Sequence, residues 1–172
     1  MTRLVLMCGV AGAGKSTYAR RLEAEGWVRF SIDAEAWERG LREVPLPEDA
    51  AAEIRAGQRA RIEAALRGGQ DVVVDYSFWS RAQRDDYRAL GRACGADVEV
   101  VHLDVPAGEL RRRLALRDTA HADDFVVPPE VLEQYLAGFE RPGPDEDDVT
   151  VLAAADDRPV SGLPRGSGRP RR

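Results

Sequence analysis

The sequence predicts an α/β fold, a parallel sheet with helices on both faces, and three observations carry that expectation. Apolar strand-like runs alternate with helix-like segments along almost the whole chain, the pattern of right-handed β-α-β crossovers. One run, Val72-Val73-Val74, is unbroken, as suits a central strand covered on both sides. Finally, the apolar stretch 3–8 leads into Gly9-x-x-x-x-Gly14-Lys15-Ser16 and then into an amphipathic helix.

That last stretch has the spacing of a phosphate-binding P-loop, and each residue type has a physical reason to be there. Glycines let successive backbone N–H groups turn toward one anion. The loop backbone through Gly9, Ala11, Gly12, Ala13 and Gly14 is therefore the candidate phosphate cradle, continued by Lys15, Ser16 and Thr17 at the positive end of the helix. Lys15 would place a full charge at β- and γ-phosphates, and Ser16 would offer its hydroxyl to Mg²⁺. Lys15 is also the only lysine among 25 lysine and arginine residues.

The remaining elements follow in order. A helix from about 15 to 25 ends at Gly26, and a strand over 27–32 alternates Val28, Phe30 and Ile32 with Arg29 and Ser31, as an edge strand does. It is expected to deliver Asp33 at its end. A short helix over about 34–41 precedes a proline-containing loop, and a long helix over about 48–67 stops at Gly68-Gly69. The strand 71–75 ends in Asp75 and is followed by Tyr76-Ser77-Phe78-Trp79. Ser80 and Gln83 have capping-box spacing, and Tyr87, Leu90 and Cys94 share one face of the helix they open. After a strand over 98–103, Leu110 and Leu114 face inward from a helix whose Arg113 and Arg117 are four apart and share a face. A polar loop follows. Pro128-Pro129 then open a short helix, and the acidic run 145–148 separates it from a fifth strand over 149–152. Residues 1–155 read as one domain with a lid at about 117–128. The Arg-, Pro- and Gly-rich segment 156–172 reads as a disordered tail.

In such folds ligands bind beyond the carboxyl ends of the strands, where the P-loop, Asp33 and Asp75 are expected to meet. Asp75 is the candidate Mg²⁺ carboxylate. Asp33 is the candidate base that takes a proton from an acceptor hydroxyl, or the N-cap of the helix beginning at 34, and the two roles are compatible. Arg113 and Arg117 are candidates to stabilise charge on the transferring phosphoryl group. Tyr76, Phe78 and Trp79 form either an aromatic wall for the acceptor or core. His102 reads as a strand residue and His121 as a loop residue, so neither suggests nucleophilic catalysis.

Composition excludes several classes. A net charge of −5 argues against dedicated binding to long nucleic acid. No run is long enough to span a membrane, and two cysteines without metal-ligand spacing suggest a reducing cytoplasm. With no asparagine and a single lysine, the chain cannot build the Asn-Lys-x-Asp guanine-reading motif of a GTPase.

Over about residues 3–142 the chain resembles the P-loop kinases related to polynucleotide 5′-hydroxyl kinases, zeta-toxin-type sugar-nucleotide kinases and chloramphenicol phosphotransferase. The resemblance rests on the P-loop, Ser31-x-Asp33, the strand ending in Asp75, and Arg113-x-x-x-Arg117. It extends to Val127-Pro128-Pro129-x-Val131-Leu132 and Phe139-Glu140-x-Pro142. It implies a P-loop NTPase sheet of order 2-3-1-4-5, ATP with Mg²⁺ as cofactors, Asp33 as base, and a lid carrying Arg113 and Arg117. Two departures turn the expectation away from polynucleotides. Asp75-Tyr76-Ser77 stands where polynucleotide kinases have Asp-Thr-Asn, and Ala36 stands where they place a substrate arginine. The expected activity is therefore phosphorylation of a small-molecule hydroxyl in the nucleoside, sugar or antibiotic class. The alternatives are a polynucleotide 5′-hydroxyl kinase and an ATP-dependent switch with no phosphoryl acceptor.

Overall fold

In a computed structural model, residues 1–116 and 125–153 are described. Arg117, His121, most of the expected lid and the tail 156–172 lie outside them. Five strands are present: β1 (Arg3–Cys8), β2 (Val28–Phe30), β3 (Val72–Val74), β4 (Asp97–Asp104) and β5 (Val149–Ala153). The helices are α1 (Lys15–Ala24), α2 (Ile32–Glu38), α3 (Glu48–Arg67), α4 (Arg81–Ala93), α5 (Ala107–Ala115) and α6 (Pro129–Gly138). The sheet is all parallel with order β2-β3-β1-β4-β5, as expected. β1 is central because it is apolar on both faces: Leu4 and Leu6 register with Val72 and Val74 of β3, and Cys8 with His102 of β4. The P-loop thus begins in the middle of the sheet.

Two apolar layers flank β1. Leu4, Leu6 and Cys8 pack against Ile62 and Leu66 of α3 and Tyr87 and Leu90 of α4. Val5 and Met7 pack on the opposite face with Ala19 and Leu22 of α1. α4 lies close to the sheet because Gly91 has no side chain. A Cβ there would stand 2.5 Å from Val98 Cγ2 and 2.8 Å from Leu4 Cδ2. Gly91→Ala gains helix propensity of about 1 kcal/mol but overpacks this contact at a cost of about 1–3 kcal/mol. The expected net result is a lower melting temperature, measurable by calorimetry.

The end of the second strand differs from expectation. β2 stops at Phe30, and Ile32 begins α2 rather than closing the strand. One part of the reason is local. The Ser31 hydroxyl accepts a hydrogen bond from the Ala34 N–H at 3.2 Å, so Ser31 is the N-cap and ends the extended backbone. Asp33 is therefore neither a strand terminus nor a cap; it lies in the first turn of α2. The helix also ends earlier than expected, at Glu38. At α4, Ser80 accepts from the Gln83 N–H at 3.2 Å as the capping spacing predicts.

Candidate active site

The P-loop residues adopt the conformation their glycines require. At Gly12, φ is +83°, and a Cβ would stand 3.0 Å from Leu114 Cγ. At Gly9, φ is +147°, and a Cβ would stand 3.1 Å from the Leu103 carbonyl oxygen. The Gly9 N–H donates to the Ser77 carbonyl at 3.0 Å, tying the loop to the turn after β3. Gly14 is the N-cap of α1 and supplies no side-chain cap, so the first N–H groups of that helix face an anion site unobstructed by a capping side chain. Lys15 Nζ donates to the Val10 carbonyl at 3.0 Å, which holds the ammonium over its own loop.

These residues help line a cleft of about 880 Å³, a size that suits small-molecule sites. Gly9, Ala11, Gly12, Gly14, Lys15, Ser16 and Thr17 reach it, with Asp33, Asp75 and Arg113. Ala13 is the one expected cradle residue absent from the lining; it is buried and offers its carbonyl to Arg113 Nη1 at 3.4 Å. Arg113 also donates to Glu109 at 2.8 Å. Arg112 and Arg113 together hold the Glu109 carboxyl down to about 2. Arg117 is outside the described residues.

Asp33 is exposed in the cleft. Tyr135 faces it: burial raises the Tyr135 hydroxyl above its ordinary value, and the negative charge of Asp33 raises it further. Asp75 is buried at the end of β3, where Oδ2 accepts from Arg29 Nη2 at 2.6 Å and Nε at 3.0 Å. Both bonds fall on Oδ2, so Oδ1 is the oxygen that remains for a metal or its water shell. Among the described residues no three His, Cys, Asp or Glu side chains cluster to hold a metal by themselves. One hydroxyl and one carboxylate beside a phosphate cradle nevertheless fit Mg²⁺, which binds through one or two protein groups and the substrate phosphates.

The three aromatics after Asp75 divide between core and cleft. Tyr76 and Phe78 stack at 5.5 Å between ring centroids, are buried, and pack on Tyr87. Trp79 is 41% exposed and packs edge-on against Tyr135. All three reach the cleft lining. Ala36 is fully buried against Ile54 and Phe125. The position where polynucleotide kinases carry an arginine is here part of an apolar cluster.

Sequence reasoning missed Gln58. This buried side chain donates to the Ser31 carbonyl at 2.9 Å and to Glu35 Oε2 at 2.8 Å, and accepts from Tyr76 Oη at 2.7 Å. It thereby joins the start of α2, which carries Asp33, to the turn after β3. Burial would raise the Glu35 carboxyl, but bonds from Gln58, Arg39 and Arg61 hold it below its ordinary value. The available signal was a glutamine on the apolar stripe of α3, four residues from both Ile54 and Ile62.

His102 packs beside Phe139 and is not among the residues lining the cleft, and burial pushes it below its ordinary value. Burial raises the Cys8 thiol to about 11, so it is a core thiol.

Comparison with known proteins agrees with this geometry. A family described as an AAA domain (AAA_33) matches residues 4–142. A gluconokinase from Gluconobacter oxydans is 29% identical over 156 residues, covering 87% of this chain and 82% of the relative. Among solved structures, a sugar kinase from Janibacter sp. HTCC2649 is 26% identical with a TM-score of 0.63, over 90% of this chain and 86% of that one. A gluconokinase from Sinorhizobium meliloti is 25% identical with a TM-score of 0.62, over 92% and 85%. A phosphate cradle with its lysine, a neighbouring carboxylate and an arginine at the loop edge share one cleft, and the family match spans the elements that build it; the chain belongs to the AAA domain family and is a P-loop kinase, an ATP-dependent phosphotransferase.

Proposed function

We propose that the protein transfers the γ-phosphoryl group of ATP, with Mg²⁺, to a hydroxyl of a small polyhydroxylated molecule of the sugar class. The observation that carries this reading is the single cleft. Lys15, Asp33 and residues of α3 and α4 line it together, and its volume is about 880 Å³. The two relatives named for gluconate make D-gluconate the first acceptor to test.

In this reading the P-loop N–H groups and Lys15 hold the β- and γ-phosphates. Ser16 and Asp75 would hold Mg²⁺ and its waters. Bound Mg²⁺ supplies positive charge that neutralises the phosphate oxygens. Asp33 orients the acceptor hydroxyl and takes its proton as the oxygen–phosphorus bond forms and the bond to ADP breaks. Arg113, beside the P-loop, stabilises charge on the equatorial oxygens, a role shared with Arg117. Trp79 and Tyr135 wall the acceptor. Cys8 and Cys94 are free thiols, which fits a cytoplasmic protein. Among the described residues no helix is long and apolar enough to cross a membrane.

The test is incubation with ATP and Mg²⁺ against D-gluconate, neutral sugars, nucleosides and an oligonucleotide with a free 5′-hydroxyl, read by mass spectrometry. The expected result is addition of one phosphoryl group to a sugar-class compound. Phosphorylation of the oligonucleotide alone would replace this reading with the polynucleotide one. ADP without any phosphorylated product would point to a switch.

A further inference from the structure

Gln58 stands on α3 between Ile54 and Ile62, and all three are buried. A leucine there would continue the apolar stripe at no polar cost. A buried amide is unfavourable unless its polar atoms find partners. Here they do: Nε2 donates to the Ser31 carbonyl at 2.9 Å and to Glu35 Oε2 at 2.8 Å, and Oε1 accepts from Tyr76 Oη at 2.7 Å. The amide has one orientation that serves all three, because a carbonyl and a carboxylate can only accept. Such fully satisfied buried networks specify geometry more than they add stability.

The groups that this amide grips bear on Asp33. Ser31 and Glu35 bracket the first turn of α2, and Asp33 lies midway between them. α2 has few other anchors. It spans seven residues, follows a strand of three, and buries Ala36 fully, with Ile32 and Trp37 partly buried beside it. Arg39 and Arg61 also hold Glu35, at 2.7 and 2.5 Å, but through exposed side chains. On the other side of the amide, Tyr76 follows Asp75 and precedes Ser77, whose carbonyl accepts the Gly9 N–H at 3.0 Å. One side chain thus bridges the turn that carries the candidate base and the turn tied to the phosphate loop.

We infer that Gln58 is a positioning residue for phosphoryl transfer: by bonding Ser31 and Glu35 on one side and Tyr76 on the other, it fixes the first turn of α2, and with it the Asp33 carboxylate, relative to the P-loop. Gln58 is not among the residues lining the cleft, so its effect passes through Asp33. This assignment rests on Asp33 being the base of the proposed reaction.

Gln58→Met tests it on the full chain. The variant is expected to fold, because each partner keeps another bond. The Ser31 carbonyl still accepts the Glu35 N–H at 3.2 Å, Glu35 keeps both arginines, and the Tyr76 hydroxyl keeps its interaction with the Tyr87 hydroxyl. Its kcat on the identified acceptor is expected to fall about 10- to 100-fold, as for a displaced catalytic group, with the KM for ATP unchanged. In an Asp33→Asn background the same substitution is expected to lower kcat less than about twofold, since the group it positions is already disabled. Hydrogen exchange at residues 31–36 is expected to rise about tenfold or more, while β1 and β4 exchange as in the wild type. An unchanged kcat overturns the assignment. So does an equal loss in both backgrounds, or exchange that rises equally throughout the sheet, since either would make Gln58 a general stabiliser. Tyr76→Phe removes one hydroxyl from the same network and decides the matter if Gln58→Met does not fold: a smaller fall in kcat with faster exchange at 31–36 supports the assignment, and no change in either overturns it. A wild type that phosphorylates none of the compounds offered removes the proposed reaction, whereas the exchange pattern still shows whether Gln58 holds the Asp33 turn.

Discussion

Asp33→Asn is expected to lower kcat about 100- to 10,000-fold, the range a positioned general base contributes, while the KM for ATP stays near its wild-type value. The substitution keeps the shape of the side chain and removes only its charge and basicity. Asp33 is exposed in the cleft and is not the cap of α2, since Ser31 accepts the bond from Ala34. Its negative charge lies in the first helical turn, a placement worth about 0.3–1 kcal/mol. The melting temperature should accordingly move by no more than a few degrees. Steady-state kinetics on the identified acceptor, paired with calorimetry of the unliganded protein, separate the two roles. Retention of wild-type turnover would mean that Asp33 is only a first-turn acid. A large loss of stability alongside the loss of activity would mean that it holds the fold.

The position of Asp33 also shows where the sequence stops being legible. The P-loop could be read because its chemistry is local: glycines, lysine and serine at fixed spacing dictate one backbone shape. The sheet order was reached through the family resemblance, and apolar runs such as Val72–Val74 placed the central strands. Asp33 lies one residue past a conflict between two local rules. The alternation of Val28, Phe30 and Ile32 favours continued strand, and the Ser31 hydroxyl favours a helix start. The cap prevails because Gln58, 27 residues away, fixes the Ser31 carbonyl from the other side. No window of sequence contains both partners. The same holds for the cleft wall, where Arg55 and Tyr87 belong to different helices. It holds again for the acidic run 145–148, which reads as a polar separator and turns out to supply partners for buried arginines.

Those buried arginines carry the largest expected loss of stability. Arg84 is fully buried in α4, and its guanidinium meets Glu146 with two bonds of 2.8 Å. Its third nitrogen donates to the carbonyls of Phe78 at 3.1 Å and Glu140 at 3.0 Å. Glu146 is completed by the Gly143 N–H at 2.9 Å and by Arg88 at 2.8 Å. Removing one partner of such a pair strands an uncompensated charge, at a cost of about 3–5 kcal/mol. For a chain of this size that corresponds to roughly a 10 °C fall in melting temperature, so Arg84→Met and Glu146→Gln should each show it. Arg84→Met combined with Glu146→Leu should recover part of the loss, since neither charge is then stranded. The bond from Arg84 holds the Glu146 carboxyl at about 2 against the burial that would raise it. Its folded value is thus depressed below the unfolded one. The pair contributes in full above about pH 4.5, and its contribution fades as pH falls toward 2. Glu146→Gln should flatten the acid side of the stability curve over that window, measured by denaturant unfolding as a function of pH. Phe78, whose carbonyl Arg84 anchors, has φ of +40°, a conformation rarely adopted outside glycine. Loss of that anchor should let the turn relax and move Trp79. Arg84→Met is therefore expected to raise the acceptor KM at temperatures where the variant is still folded, and an unchanged KM would show that the turn keeps its shape without the arginine.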